Sequence, residues 1–231
     1  MSVVKSYPLA PDYKLSVGAF CEVSASIISR VEEIWAIEKQ HRGSQLTNGQ
    51  IYTLSEFRSD YLLIQPSEYR YVLARRRTPD LQKEGLNIRP LAVSGILLCT
   101  DGLVLGQRGS SVSEDIGLWE PAPAGSLSRP DPKEQVSEEL REELGIPEAE
   151  IKSARVCGLI EDVDSGVFDI VFRLETDATG REVCAAHAEW GSDEYAKLAI
   201  VKISELPEFL DVNSNDLLPA LRPMLHAASI L

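Results

Sequence analysis

Apolar residues recur along the chain with two different periods, and each change of period marks an element. In EVSASIISRVEEIWAIEKQ (22–40), Val23, Ile27, Ile28, Val31, Ile34 and Trp35 fall at the spacing of one helix face. Asn48-Gly49 then predicts a turn, and the residues beyond it read as a strand. YRYVLARRR (69–77) fits a strand or a short helix, and its pattern does not choose between them. TPDLQKEGLNIRP (78–90) is polar, carries Pro79, Gly85 and Pro90, and reads as a connector. After it, LAVSGILLCTDGLVLGQR (91–108) is two apolar runs joined at Asp101-Gly102, which predicts a hairpin. A loop (109–118), a turn rich in Pro and Gly (120–125) and a helix from about Lys133 to Leu144 follow, the helix stopped by Gly145 and Pro147. A second hairpin is predicted around Asp164-Ser165-Gly166, a further strand in LAIVKISEL (198–206), and a closing helix in 213–231 interrupted by Pro223.

That order predicts a mixed sheet with one helix after its first hairpin and another at its end. The class is α+β or an α/β/α sandwich. The change of texture near residue 88 divides the chain into a small N-terminal α+β region, 1–87, and a larger domain, 88–231. No repeats or low-complexity tracts interrupt either part.

Composition narrows the chemistry. At 44% apolar and 26% charged residues, disorder is excluded as the default state. A formal net charge of −13 repels nucleic-acid phosphates and anionic membranes, so neither is an expected partner. The four cysteines form no C-x-x-C pair and the three histidines are scattered, which excludes a zinc pattern. The start, MSVVKSYPLAPDYKL, lacks the cationic-then-apolar layout of a secretory leader, and LAVSGILLC is too short to cross a bilayer. The cytoplasm is the expected location.

The densest chemistry lies in SEELREELGI (137–146). On a helix, Glu139, Glu142 and Glu143 stand at i, i+3 and i+4 on one face, while Val136, Leu140 and Leu144 form an apolar stripe. Like charges at those spacings repel by a few tenths of a kcal/mol per pair. The repulsion turns favourable when a divalent cation sits among the carboxylates, because hard cations take oxygen ligands. A solvated acidic face is the alternative reading of the same residues.

In its setting this segment resembles the box of the Nudix hydrolases, G-x5-E-x7-R-E-U-x-E-E-x-G-U with U aliphatic. Gly125 matches the first Gly, and Glu139 to Ile146 match the E-U-x-E-E-x-G-U end. The likeness extends to GLWEPAPAG and the 91–108 hairpin, and covers roughly residues 90 to 231. It implies a Nudix-type α/β/α sandwich with a mixed sheet. The box is one residue short, so Asp131 takes the first Glu position only with a six-residue spacer, and Glu138 stands where the family has Arg. Arg141 is the basic residue near enough to compensate. IW…QLTNGQIY in the first zone is similar to the Nudix group that contains the mammalian UDP-glucose-cleaving enzyme.

What the resemblance implies is hydrolysis of a pyrophosphate bond in a nucleoside diphosphate linked to another moiety. A nucleotide sugar such as UDP-glucose comes first and an ADP-ribose-type substrate next, with Mg²⁺ or Mn²⁺ as cofactor. It assigns Glu139, Glu142 and Glu143, with the Gly125 carbonyl, to the metal, and gives Glu142 a catalytic role. Glu194 is the preferred further carboxylate, as extra ligand or general base, with Glu161 and Asp162 competing. Arg108 is the candidate phosphate-binding residue. Trp119 either stacks on a base or packs in the core, and Arg75, Arg76 and Arg77 either meet the substrate or face solvent. The altered box also admits a binding or regulatory module without turnover. Many relatives are dimers, so the first zone is expected to act as a homodimer contact or as a substrate lid.

Overall fold

In the computed structural model, which describes residues 3–112 and 114–231, two short strands precede the first helix. Met1 and Ser2 of the N-terminal region and Ser113 of the 109–118 loop lie outside the described residues. The strands are β1 (Val4–Tyr7) and β2 (Lys14–Val17), and α1 (Ala25–Arg42) follows, burying Ile27 and Val31. β3 (Gln50–Arg58) and β4 (Tyr61–Glu68) pair antiparallel, and β2 joins β4 in parallel to complete a three-stranded sheet. The ambiguous YRYVLARRR is a helix, α2 (Tyr69–Arg77). Tyr71, Val72, Leu73, Ala74 and Arg75 are all buried, so no polar face was left to reveal the helical period. The presumed connector is packed rather than free. It holds α3 (Asp80–Lys83), and Leu81, Leu86 and Ile88 share a core with Ile27, Val31 and Val72.

The second part supplies β5 (Leu91–Cys99), β6 (Gly102–Arg108), β7 (Trp119–Pro121), β8 (Ala124–Ser126), α4 (Pro132–Leu144), β9 (Ile151–Asp162) and β10 (Val167–Thr176). It ends with α5 (Gly180–Trp190), β11 (Tyr195–Val201), α6 (Leu206–Val212) and α7 (Leu221–Ala227). The main sheet runs β1-β9-β10-β5-β6-β11, with β10 and β5 parallel. β1, from the first zone, forms its edge by pairing antiparallel with β9. The β5–β6 hairpin forms at Leu98↔Leu103 and Cys99↔Gly102, then opens. The returning chain enters the gap, β7 pairing β6 and β8 pairing β5. This splay places the Pro- and Gly-rich turn in the middle of the sheet.

Alternation along the strands separates two cores. Leu91, Val93 and Leu97 of β5 and Ile170, Phe172 and Leu174 of β10 face α4 and α5, whose Val136, Leu140, Leu144 and Val183 join them. Ile96 and Val171 face the other way, towards Leu206, Leu210, Leu221, Met224 and Leu225 of α6 and α7. The result is a mixed-sheet α/β/α sandwich. Tyr52, Leu54, Leu62 and Ile64 of the three-stranded sheet belong to the α4 core, so the N-terminal region shares apolar packing with the sandwich. Two expectations need correcting. Pro223 lies in the first turn of α7, where a missing N–H costs nothing, and interrupts no helix. The 198–206 run is strand only to Val201, and Leu206 already begins α6. Among the described residues no helix is long and apolar enough to cross a membrane.

Arg75 fastens the two parts together. It is buried, and its guanidinium donates to the Ile88 and Ser165 carbonyls, the latter in the β9–β10 turn. The solvated reading of the Arg75–Arg77 run therefore fails for Arg75, whereas Arg76, half-buried, pairs with Glu114 and Arg77, exposed, pairs with Glu38. Arg75→Ala strips one buried and one half-buried acceptor of charged donors, each such bond being worth about 1.5–3 kcal/mol. We expect roughly 3 kcal/mol of destabilisation and a fall in Tm of about 6–12 °C, with Arg75→Lys recovering less than half. A calorimetric scan checks this, and a shift within a degree of wild type would remove Arg75 from that role.

Candidate active site

The helix that carries the acid cluster is built before the acids matter. Asp131 caps α4, its carboxylate accepting from the Lys133 amide at 2.8 Å, and Pro132 takes the first helical position. Burial of Val136, Leu140 and Leu144 contributes about 1.5–3 kcal/mol each, whereas the glutamate repulsions cost a few tenths per pair. Packing wins. Asp131 is thereby engaged as an exposed cap.

Beside α4 opens a cleft of about 610 Å³, bounded by the sandwich on one side and by Ile51, Tyr69, Val72 and Arg76 of the N-terminal region on the other. Gly125 of β8 lies hard against α4, and any side-chain carbon there would fall inside the Glu139 carboxyl group. Glu139 lines the cleft and is turned by Gln135, one helical turn back, whose Nε2 donates to Glu139 Oε1 at 2.6 Å. Gln135 is itself fixed, its Oε1 accepting from the Ser128 amide and hydroxyl at 2.9 Å each. Glu143 is only 2% exposed. Its Oε2 accepts from the Ala124 amide at 2.9 Å and from the Tyr195 hydroxyl at 3.0 Å. The Tyr195 ring rests directly on Gly106 of β6, at a spot where a side-chain carbon would overlap it.

The remaining candidates divide. Glu194 and Arg108 line the cleft. Glu142 does not. It is exposed and pairs with Arg141 at 2.8 Å, so Arg141 neither replaces the absent box Arg nor touches Glu139 through a hydrogen bond. Glu138 pairs with Arg129 on the turn before the helix. Trp119 is 5% exposed, packed edge-on against Phe209 in the second core, and is not among the cleft-lining residues, which corrects its assignment to a substrate base. Glu161 accepts from Tyr7 at the β1 edge. Asp162 lines the cleft and accepts from the Asp164 and Ser165 amides of the hairpin turn.

Sequence reasoning missed Glu120, Asp169 and Gln135. Glu120 is buried beside Arg108, with 2.6 Å between Oε1 and the guanidinium, yet burial outweighs that pairing and pushes its carboxyl up to about 7. Asp169, on β10, is pushed up to about 6 by burial, although Ser94 Oγ donates to it at 2.9 Å. Their signal was present as single acids inside apolar strand runs. Glu139 is pushed up to about 7, first by burial and then by the charges of Glu194, Glu142 and Glu138, against the Gln135 bond that lowers it. Glu143 is also held well above the usual carboxylate range, again by burial first and then by Glu139. Among the described residues no three of these side chains stand gathered as a finished metal cage. The donor chemistry nevertheless fits a hard cation, since Glu139, Glu194 and the Gly125 backbone present oxygens to one cleft. Bringing in Glu142 means opening an exposed ion pair worth about 0–1 kcal/mol, a small obstacle.

No family model and no curated protein matches the chain. Solved structures do. The Nudix domain of Shewanella oneidensis NrtR, complexed with ADP ribose, is similar at 13% identity and a TM-score of 0.47, covering 65% of this chain and 95% of that one. A bifunctional NMN adenylyltransferase/ADP ribose pyrophosphatase from Francisella tularensis, complexed with AMP and a Mn ion, is similar at 14% identity and a TM-score of 0.47. That match covers 68% of this chain but 45% of the larger enzyme. A MutT protein from Methanosarcina mazei Go1 is similar at 20% identity and a TM-score of 0.42, covering 61% of this chain and 91% of that one. A NUDIX hydrolase from Nitrosomonas europaea is also similar, at 14% identity and a TM-score of 0.45, covering 61% of this chain and 88% of that one.

The raised carboxyl of Glu139 makes stability depend on pH with a definite sign. Its value of about 7 in the folded chain exceeds the ordinary 4.5, so the folded state holds the proton more tightly and stability falls as pH rises between them. Glu139→Gln removes that cost. In metal-free protein the variant should melt a few degrees above wild type at pH 8 and level with it near pH 4. A gain of equal size at both pH values would show that the buried charge is not its source.

Proposed function

We propose that this chain is a Nudix-type, divalent-metal-dependent pyrophosphohydrolase acting on a nucleoside diphosphate linked to another moiety. A nucleotide sugar such as UDP-glucose is the favoured substrate and an ADP-ribose-type molecule the next. The observation that carries the reading is the pressing of the Gly125 backbone onto the Glu139 carboxyl, where the first Gly of the motif meets the glutamate that opens its second half, in a cleft shared with Glu194.

Bound Mg²⁺ or Mn²⁺ would screen the bridging phosphates, stabilise the leaving oxygen and lower the pKa of a water molecule. Glu139 and the Gly125 carbonyl are the donors we assign, with Glu142 joining once Arg141 releases it and Glu143 supporting the set from behind through Ala124 and Tyr195. Glu194, exposed at the cleft wall, is the carboxylate we assign to receive the proton of the attacking water. Gln135 keeps the Glu139 carboxyl turned towards the turn. The net charge of −13 supports a small nucleotide rather than a nucleic acid as partner, and four free thiols suit a reducing cytoplasm.

A second reading, a binding module without turnover, is favoured by one feature. Glu138 and Glu142 are both engaged by arginines outside the cleft, on Arg129 and Arg141. Incubation with UDP-glucose and ADP-ribose, each with millimolar Mg²⁺ or Mn²⁺, separates the two. We expect two phosphorylated products by mass spectrometry, and a fall in kcat/KM of about a hundredfold or more in Glu139→Gln and Glu194→Gln. A raised Tm with each nucleotide recovered intact would replace the hydrolase with the binding module.

A further inference from the structure

The charged residues that line the cleft are mostly acids, yet the ligand proposed for it is an anion. Among the described lining residues the basic side chains are Arg76 and Arg108. Arg108 is already committed. Its NH1 is 2.6 Å from the buried Glu120 carboxylate, and its Nε donates to the Glu114 carbonyl at 3.1 Å. Drawing it away would leave Glu120 buried and uncompensated. Arg76 is differently placed. It projects from α2 of the N-terminal region, and its NH1 meets Glu114 Oε2 at 2.6 Å across the cleft, with both side chains about a third exposed. Solvent, and hence a ligand, reaches this pair.

The two contacts on Glu114 form one device. Arg108 holds its backbone carbonyl, which fixes the loop, while its carboxylate is offered to Arg76. A carboxylate and a phosphate present the same paired oxygens to a guanidinium, so one can take the other's place without any change in what Arg76 requires. We propose that Arg76 is the residue with which the N-terminal region binds the ligand, receiving phosphate oxygens of a nucleoside diphosphate in the position that the Glu114 carboxylate occupies. Glu114 is then an internal competitor, and displacing it into solvent couples ligand entry to release of the loop from α2. This deepens the proposed function and rests on its choice of a diphosphate ligand. It also gives the N-terminal region a direct part in recognition.

Removing the two partners of an ion pair has the same effect if the pair is only a structural clasp. It has opposite effects if one partner binds the ligand and the other competes. In the full chain with Mg²⁺, calorimetric titration with ADP should show Arg76→Ala weakening Kd by roughly tenfold or more and Arg76→Lys restoring part of the loss. Glu114→Gln should tighten Kd severalfold. Equal weakening in Arg76→Ala and Glu114→Gln, or no change in either, overturns the proposal, as does a wild type that does not take up ADP. Should Arg76→Ala fail to fold, Glu114→Gln still decides by the sign of its shift. The reaction assigned above stands or falls separately. ADP binding that depends on Arg76 without hydrolysis of UDP-glucose or ADP-ribose retires the reaction and keeps the contact. Hydrolysis with a KM indifferent to both substitutions does the reverse.

Discussion

The site depends on one close approach, the packing of α4 against β8 at Gly125. The helix can bring Glu139 to the sheet because residue 125 has no side chain, and Glu143 follows by reaching the Ala124 amide one residue earlier. That amide bond and the Tyr195 hydroxyl satisfy a carboxylate enclosed on almost every side. Tyr195 in turn keeps its position because Gly106 leaves room beneath its ring. Two missing side chains, on β6 and β8, therefore set the depth at which the acids lie. The splayed β5–β6 hairpin is what allows β7 and β8 to carry that turn into the sheet at all.

Clustered buried carboxylates oppose folding, and the structure shows what offsets them. Two apolar layers flank the sheet, and the helix bearing the acids buries Val136, Leu140 and Leu144 in the larger core. The cost is local and takes the form of carboxyls that hold their protons more tightly than usual. The gain is spread over the whole interface. A site of this kind tolerates strong mutual repulsion because packing elsewhere exceeds it by several kcal/mol.

The parts of this arrangement that were legible in the sequence are those governed by local rules. Asp101-Gly102 and Asp164-Ser165-Gly166 announced their hairpins, and the stripe Val136, Leu140, Leu144 announced α4. α5 was missed, although the T-x-x-E spacing of Thr179 and Glu182 forms a complete capping box. α2 was undecided because it is enclosed on most faces. Within the site, motif spacing led to Glu139, Glu143 and Gly125. It also led to Glu142, which the ion pair with Arg141 turns away. Glu120, Asp169 and Arg76 reach the cleft through tertiary pairing, across β6–β7, β5–β10 and the junction of the two parts. No spacing along one segment encodes such meetings.

Glu138 stands where the motif that this segment resembles has an arginine, and the difference has a physical consequence for Glu139. An arginine beside Glu139 would orient it and also neutralise it, drawing its carboxyl towards the low end of the range. Here orientation comes from Gln135, a neutral amide held by Ser128 and Arg129. Gln135 positions the carboxyl but offsets little of its charge, and burial keeps Glu139 up at about 7. Near neutral pH the unliganded carboxyl is thus divided between its protonated and charged forms. A divalent cation bound there, as the proposed function requires, would displace that proton and would meet a carboxylate whose charge no arginine has already claimed. Under the proposed function, orientation by an amide rather than a guanidinium would leave the acid pocket more dependent on a cation, because the cation would supply the positive charge that the chain itself withholds.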